Sequence, residues 1–125
     1  MQYEEIIERV QQRGGLTSFA EAEAATQATL ATLGEYLTEG EGPDLGAQLP
    51  QGLGEQLQQQ PPERSKIFSY NDFIQLVGDN EGVGFDKAED YARAVMGVLE
   101  EAVTEGEMQD VRRQFSSEFD PLFRK

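Results

Sequence analysis

The sequence predicts an all-α protein of two pseudo-symmetric helical repeats, each a long helix with shorter helices, packed together as one compact helical bundle. Three observations predict it. Apolar residues recur at helical spacing, as at Ile6, Ile7 and Val10 and again at Leu30, Leu33 and Leu37. The tetrapeptide Thr-Glu-Gly-Glu stands twice, as Thr38, Glu39, Gly40, Glu41 and as Thr104, Glu105, Gly106, Glu107. Gapless alignment of residues 19–57 on 85–123 gives twelve identities, including Phe19, Ala22, Glu23, Leu33, Asp44 and Gln48, where chance gives about two or three.

The spacing predicts a first helix over Tyr3 to Gln12, ended by Gly14-Gly15. Ser18-Phe19-Ala20-Glu21 has the Ser-x-x-Glu form of a capping box, in which each side chain accepts from the other residue's backbone N–H. A long helix then runs from about Phe19 to Leu37, with Ala22, Thr26, Thr29, Leu30, Leu33 and Leu37 on its inner positions. After the tetrapeptide, Pro43 and Asp44 can start a short helix through Gln48, and Pro50 can open another. Leu45, Leu49, Leu53 and Leu57 recur every fourth residue, but the intervening prolines and glycines favour two short pieces over one straight helix.

Residues 1–57 therefore form repeat 1, residues 58–68 a Gln/Pro-rich linker without periodicity, and residues 69–125 repeat 2, together one domain. Repeat 2 opens at Ser69, an N-cap with Asp72 three residues on. Phe73, Ile74 and Val77 stand where Ile6, Ile7 and Val10 stood. The second long helix, from about Asp86 to Thr104, carries an extra apolar face at Tyr91, Val95, Val98 and Ala102, so it is expected at the centre, with the first long helix more exposed. Phe115, Phe119 and Phe123 match Leu49, Leu53 and Leu57, and with Leu122 they read as core filling rather than as an exposed knob.

Composition excludes several chemistries. There is no cysteine and no histidine, which removes disulfides, Cys/His zinc sites, thiol nucleophiles and histidine acid–base catalysis. Twenty-four acidic against ten basic side chains give a net charge of −14, a surface that repels phosphate backbones and anionic lipid. Nucleic acid and membrane are thus not expected partners. A protein partner, a basic one in particular, is expected instead, with the chain a monomer or weak homodimer. Met1-Gln2-Tyr3-Glu4-Glu5 is acidic with no apolar run after it, so no signal peptide is expected, and the lack of cysteine suits an expected cytoplasmic location.

Leu33, Tyr36 to Glu41, Asp44-Leu45 and Gln48-Leu49-Pro50, with the echo from Tyr91 through Leu99 and Thr104 to Asp110-Val111, resemble the bacterial family called domain of unknown function 2267. The resemblance covers Tyr3 to Phe123 and implies an all-helical duplicated fold. It departs from the family pattern at Phe115-Ser116, where a second Leu-Pro is expected, and in the glutamine-rich linker. It implies no activity.

The repeated tetrapeptide is read as a structural helix corner, with Gly40 and Gly106 as left-handed C-caps and its glutamates solvated. A competing reading makes the glutamates a cation site or an acid–base pair. Asp79 to Asp90 imitates a calcium loop, but Val83 stands at position 5 where an oxygen ligand is needed, and position 12 is Asp90 rather than glutamate. No catalytic residue, cofactor or metal site is assigned. The expected function is a non-enzymatic acidic protein–protein interaction module. The alternative is a small-ligand or cation-binding protein, or a carboxylate-based enzyme, with its site between the repeats. A polar cluster of carboxylates converging in a closed pocket favours the alternative, and an exposed apolar groove rimmed by acids favours the interaction module.

Overall fold

Seven α-helices and a C-terminal 3-10 helix make up the residues that the computed structural model describes, which are 1–37, 41–58 and 69–123, and no strand occurs among them. The helices are α1 (Tyr3–Gly14), α2 (Phe19–Tyr36), α3 (Glu41–Gly46), α4 (Gly54–Gln58), α5 (Tyr70–Glu81), α6 (Phe85–Ala102) and α7 (Glu105–Arg113), followed by the 3-10 helix Ser117–Phe123. The expected linker lies outside the described residues from Gln59 onward, as do Thr38, Glu39 and Gly40 of the first corner.

Local chemistry accounts for most boundaries. α1 places Glu4 and Glu5 in its first turn and Arg13 in its last, matching the helix dipole, and stops where Gly15 turns left-handed at φ 65°. The Ser18 hydroxyl accepts from Glu21 N–H at 3.1 Å, as the capping box requires. Glu21 does not return the bond to Ser18, however. Its carboxylate reaches one residue further back, to the N–H and hydroxyl of Thr17. Ser69 caps α5 by accepting from Asp72 N–H at 3.1 Å, and α5 ends at left-handed Gly82.

α3 starts at Glu41, two residues before the expected Pro43. Proline fits inside this first turn because its missing N–H would have no helical partner there. Pro50 heads a turn, its carbonyl accepting from Leu53 and Gly54 N–H, while Gly52 at φ 99° delays α4 to Gly54. The two short pieces still bury Leu45, Leu49, Leu53 and Leu57, as the spacing predicts.

α2 and α6 pack on each other, and each also packs on both α1 and α5. One hydrophobic cluster joins Ile6, Ile7 and Val10 of α1, Leu30 and Leu33 of α2, Phe73, Ile74 and Val77 of α5, and Val95, Met96 and Leu99 of α6. The expectation that α2 is the more exposed long helix is wrong. α2 buries Ala22, Ala25, Thr26, Ala28, Thr29, Leu30, Thr32, Leu33 and Gly34, a longer run than α6 buries. Most of these positions carry the small side chains of Ala, Thr and Gly, which let neighbouring helices come close. Thr26 and Thr32 donate their hydroxyls to the carbonyls of Ala22 and Ala28, so burial leaves neither unsatisfied.

The C-terminal aromatics fill the core end as expected: Phe119 and Leu122 are buried, with Phe115 and Phe123 partly so. Tyr36 stacks on Phe115 with ring centroids 4.4 Å apart and donates its hydroxyl to Gln114 C=O at 3.1 Å. Phe73 meets the edge of Phe119 at 6.1 Å. Aromatic pairs of this kind add to area burial by about 1 kcal/mol each.

Candidate metal centre

The second copy of the tetrapeptide begins a helix rather than ending one. α6 finishes at Ala102, and Val103 follows in extended conformation with its N–H still on Leu99 C=O. Thr104, also extended, is the N-cap of α7: its side chain accepts from Glu107 N–H at 3.2 Å. Glu105, Gly106 and Glu107 are the first turn of that helix. Gly106 is not among the glycines with positive φ, and a Cβ there would meet nothing within 4 Å. The left-handed C-cap expected at Gly106 is therefore replaced by a helical position. The physical reason is legible in the motif itself, since Thr-x-x-Glu is a capping box and an extended two-residue link between helices needs no left-handed residue. α2 leaves in the same way, through extended Leu37 with its N–H on Leu33 C=O. The expectation for Gly40 lies outside the described residues, and Glu41 is the first residue of α3.

A capping-box glutamate ordinarily turns back to the N-cap N–H. Here Gln48, after α3, takes that place: its Oε1 accepts from Thr104 N–H at 2.9 Å, and its Nε2 donates to Glu107 Oε1 at 3.4 Å. Glu107 is thus free to turn its other oxygen toward α3, which packs on α7. Carboxylate oxygens of Glu41, Glu107 and Asp110 all lie within 4.8 Å of one another.

The three differ in environment. Asp110 is exposed and pairs with Arg113 Nη1 at 3.0 Å. Glu41 and Glu107 are half-buried as residues, but Glu41 Oε1 and Glu107 Oε2 are closed off from solvent, and no N–H or hydroxyl of the described residues reaches either. A buried carboxylate oxygen without a donor is costly, and two facing each other repel. The Glu41 carboxyl is accordingly pushed up to about 8, first by burial, then by Glu107, which its protonated form can donate to and whose charge opposes its ionised form, and by the charges of Asp110 and Asp44. A proton on Glu41 supplies the missing donor to Glu107. A bound cation supplies the same compensation with more charge. Calcium takes oxygen ligands at about 2.3–2.6 Å, so two ligands on one ion stand up to about 5 Å apart, and the observed separations are within that span.

Elsewhere the acids do other work. Asp79, Asn80 and Glu81 belong to the last turns of α5, not to a loop, so the calcium-loop imitation has no loop to coordinate with. Asn80 Nδ2 donates to Thr32 Oγ1 at 3.0 Å. Burial, followed by the charge of Glu21, raises the Glu81 carboxyl to about 7.

Sequence reasoning missed two matched bonds. Tyr3 donates to Glu23 Oε2 at 2.5 Å and Tyr70 to Glu89 Oε2 at 2.6 Å, tying α1 to α2 and α5 to α6. The signal was present: Tyr3 and Tyr70 are sixty-seven residues apart, Glu23 and Glu89 sixty-six. It also missed Gln48, which belongs to the twelve identities but became informative only once Thr104 was seen as an N-cap. Among the described residues the large exposed hydrophobics are Met1, Phe19 and Phe85, with Phe19 and Phe85 each opening a long helix.

The family model described as an uncharacterized conserved protein, DUF2267, matches residues 3–122. No curated protein matches the chain.

Proposed function

The chain belongs to the DUF2267 family, whose description assigns no activity, and from the geometry of the α3–α7 junction we propose that it is a non-enzymatic module that binds a divalent cation there. The observation that carries this reading is the convergence of Glu41, Glu107 and Asp110 from two distant parts of the chain, with two carboxylate oxygens buried and lacking a donor among the described residues. Glu41 and Glu107 hold the ion on the protein side. Exposed Asp110 completes the set at the surface, where water fills the remaining positions, as suits calcium or magnesium. Binding joins α3 to α7 and removes the repulsion between their carboxylates, so the ion acts as a clamp between the two halves.

Isothermal titration with calcium and with magnesium at pH 8 tests it. One ion per chain is expected for the intact protein, with saturable binding lost in Glu107→Gln. Absence of saturable binding of either ion to the intact protein would sink the reading.

A second reading, an acidic protein–protein interaction module, is supported by the net charge of −14 and by exposed Phe19 and Phe85. A basic protein would be its partner, held more weakly as salt screens the charge. Pull-down at low and high salt separates the cases: retention unchanged by salt argues against the charge-driven interaction.

A further inference from the structure

Two arginines without a close ion pair among the described residues meet in one place. Five arginines stand among the described residues. Arg9 pairs with Glu5 at 3.1 Å and Glu101 at 3.4 Å, Arg112 pairs with Glu100, and Arg113 pairs with Asp110 at 3.0 Å. Arg13 has only a loose contact at 3.9 Å to Glu101, which Arg9 already engages more closely. Arg93 makes no ion pair among the described residues. Arg13 and Arg93 line the same cavity of about 500 Å³, between the C-terminal end of α1 and the outer face of α6. That volume lies in the range of small-ligand pockets.

The cavity is built from absent side chains. Gly14, Ala94 and Gly97 line it with the two arginines. A Cβ on Gly97 would come within 2.4 Å of Arg13 Nη1, so glycine is what lets the guanidinium lie against α6. Asp90 contributes the one acidic side chain of the lining, leaving two guanidinium groups against one carboxylate. Guanidinium forks match planar carboxylates and tetrahedral phosphates with paired hydrogen bonds. We propose that this cavity is a binding site for a small oxyanion-bearing molecule, held between Arg13 and Arg93. It is separate from the α3–α7 junction and stands or falls independently of cation binding.

Amide NMR shifts of the intact protein, titrated with inorganic phosphate and in parallel with succinate at constant ionic strength, test this. Gly14, Gly15, Ala94 and Gly97 are expected to shift together and to saturate with a dissociation constant of about 1 mM for at least one of the two anions. Which anion saturates distinguishes a phosphate from a carboxylate ligand. Arg93→Gln is expected to weaken that binding about tenfold, Arg93→Lys less so, and Arg113→Gln not at all. Both Arg93 variants alter an exposed side chain, and unchanged melting shows that the fold is kept. Non-saturating shifts with both anions, or equal weakening by Arg113→Gln, would overturn the site.

Discussion

The two corners that follow the long helices begin with the same four residues and are packed by opposite means. Around the first, backbone meets backbone. A Cβ on Gly34 would stand 3.0 Å from Gln56 C=O, on Gly42 2.6 Å from Leu57 C=O, and on Gly54 2.4 Å from Gly46 C=O. Sixty-six residues on, those glycines are replaced by Glu100, Met108, Asp120 and Arg112. The second corner is filled by large groups instead: buried Met108 and Phe119, the Phe115 stack on Tyr36, and the Glu100–Arg112 ion pair. One repeated tetrapeptide thus precedes two packing solutions. In the second corner the motif sets where α7 begins, and in both corners the residues after it set how closely the next helix approaches.

The largest test of this contrast is Phe119→Ala. It removes the ring that touches Tyr36, Tyr70, Phe73 and Phe115, and urea unfolding is expected to show a loss of about 4 kcal/mol. Next comes Gly54→Ala, in which one methyl group is driven into a backbone carbonyl. A loss of about 2 kcal/mol is expected, whereas Asp120→Ala at the matching exposed position should change stability by no more than about 0.5 kcal/mol. Equal effects at 54 and 120 would erase the contrast.

Gly106→Ala is smaller and of opposite sign. Because Gly106 is helical with open space around its Cα, alanine should raise stability by up to about 1 kcal/mol. A fall would restore the left-handed cap.

The last is a slope. The Glu81 carboxyl is raised from 4.5 to about 7 by burial and then by Glu21, so between those values the folded state holds more protons than the unfolded one. Stability must therefore fall as pH rises through that window. Glu81→Gln should flatten the decline in melting temperature between pH 5 and pH 8, and an unaltered decline would remove Glu81 from the account.

Much of the fold was legible because it rests on local rules. Helical spacing located the inner faces at Ile6, Ile7, Val10, Phe73, Ile74 and Val77, and Ser18 and Ser69 marked two helix starts. What failed was reading burial from hydrophobicity. Ala25, Ala28 and Thr32, outside the inner positions expected of α2, are buried as well, because small side chains let neighbouring helices come close. Gly106 was misplaced for a different reason: a glycine after a helix invites the C-cap reading, while the Thr-x-x-Glu spacing around it points to the next helix's start. The candidate site was legible only as repeated residues. Glu41 and Glu107 were visible as copies, but their meeting depends on α3 packing on α7 and on Gln48 displacing Glu107 from its usual cap bond. Asp110 carried no signal beyond its match to Asp44.

The most direct test of that meeting is the melting temperature at pH 8 with and without millimolar calcium, for the intact protein and for Glu41→Gln. Calcium should raise the melting temperature of the intact protein and leave Glu41→Gln unmoved, because an ion bound only to the folded state stabilises it. No rise in the intact protein, or the same rise in both, would contradict a cation held between Glu41, Glu107 and Asp110.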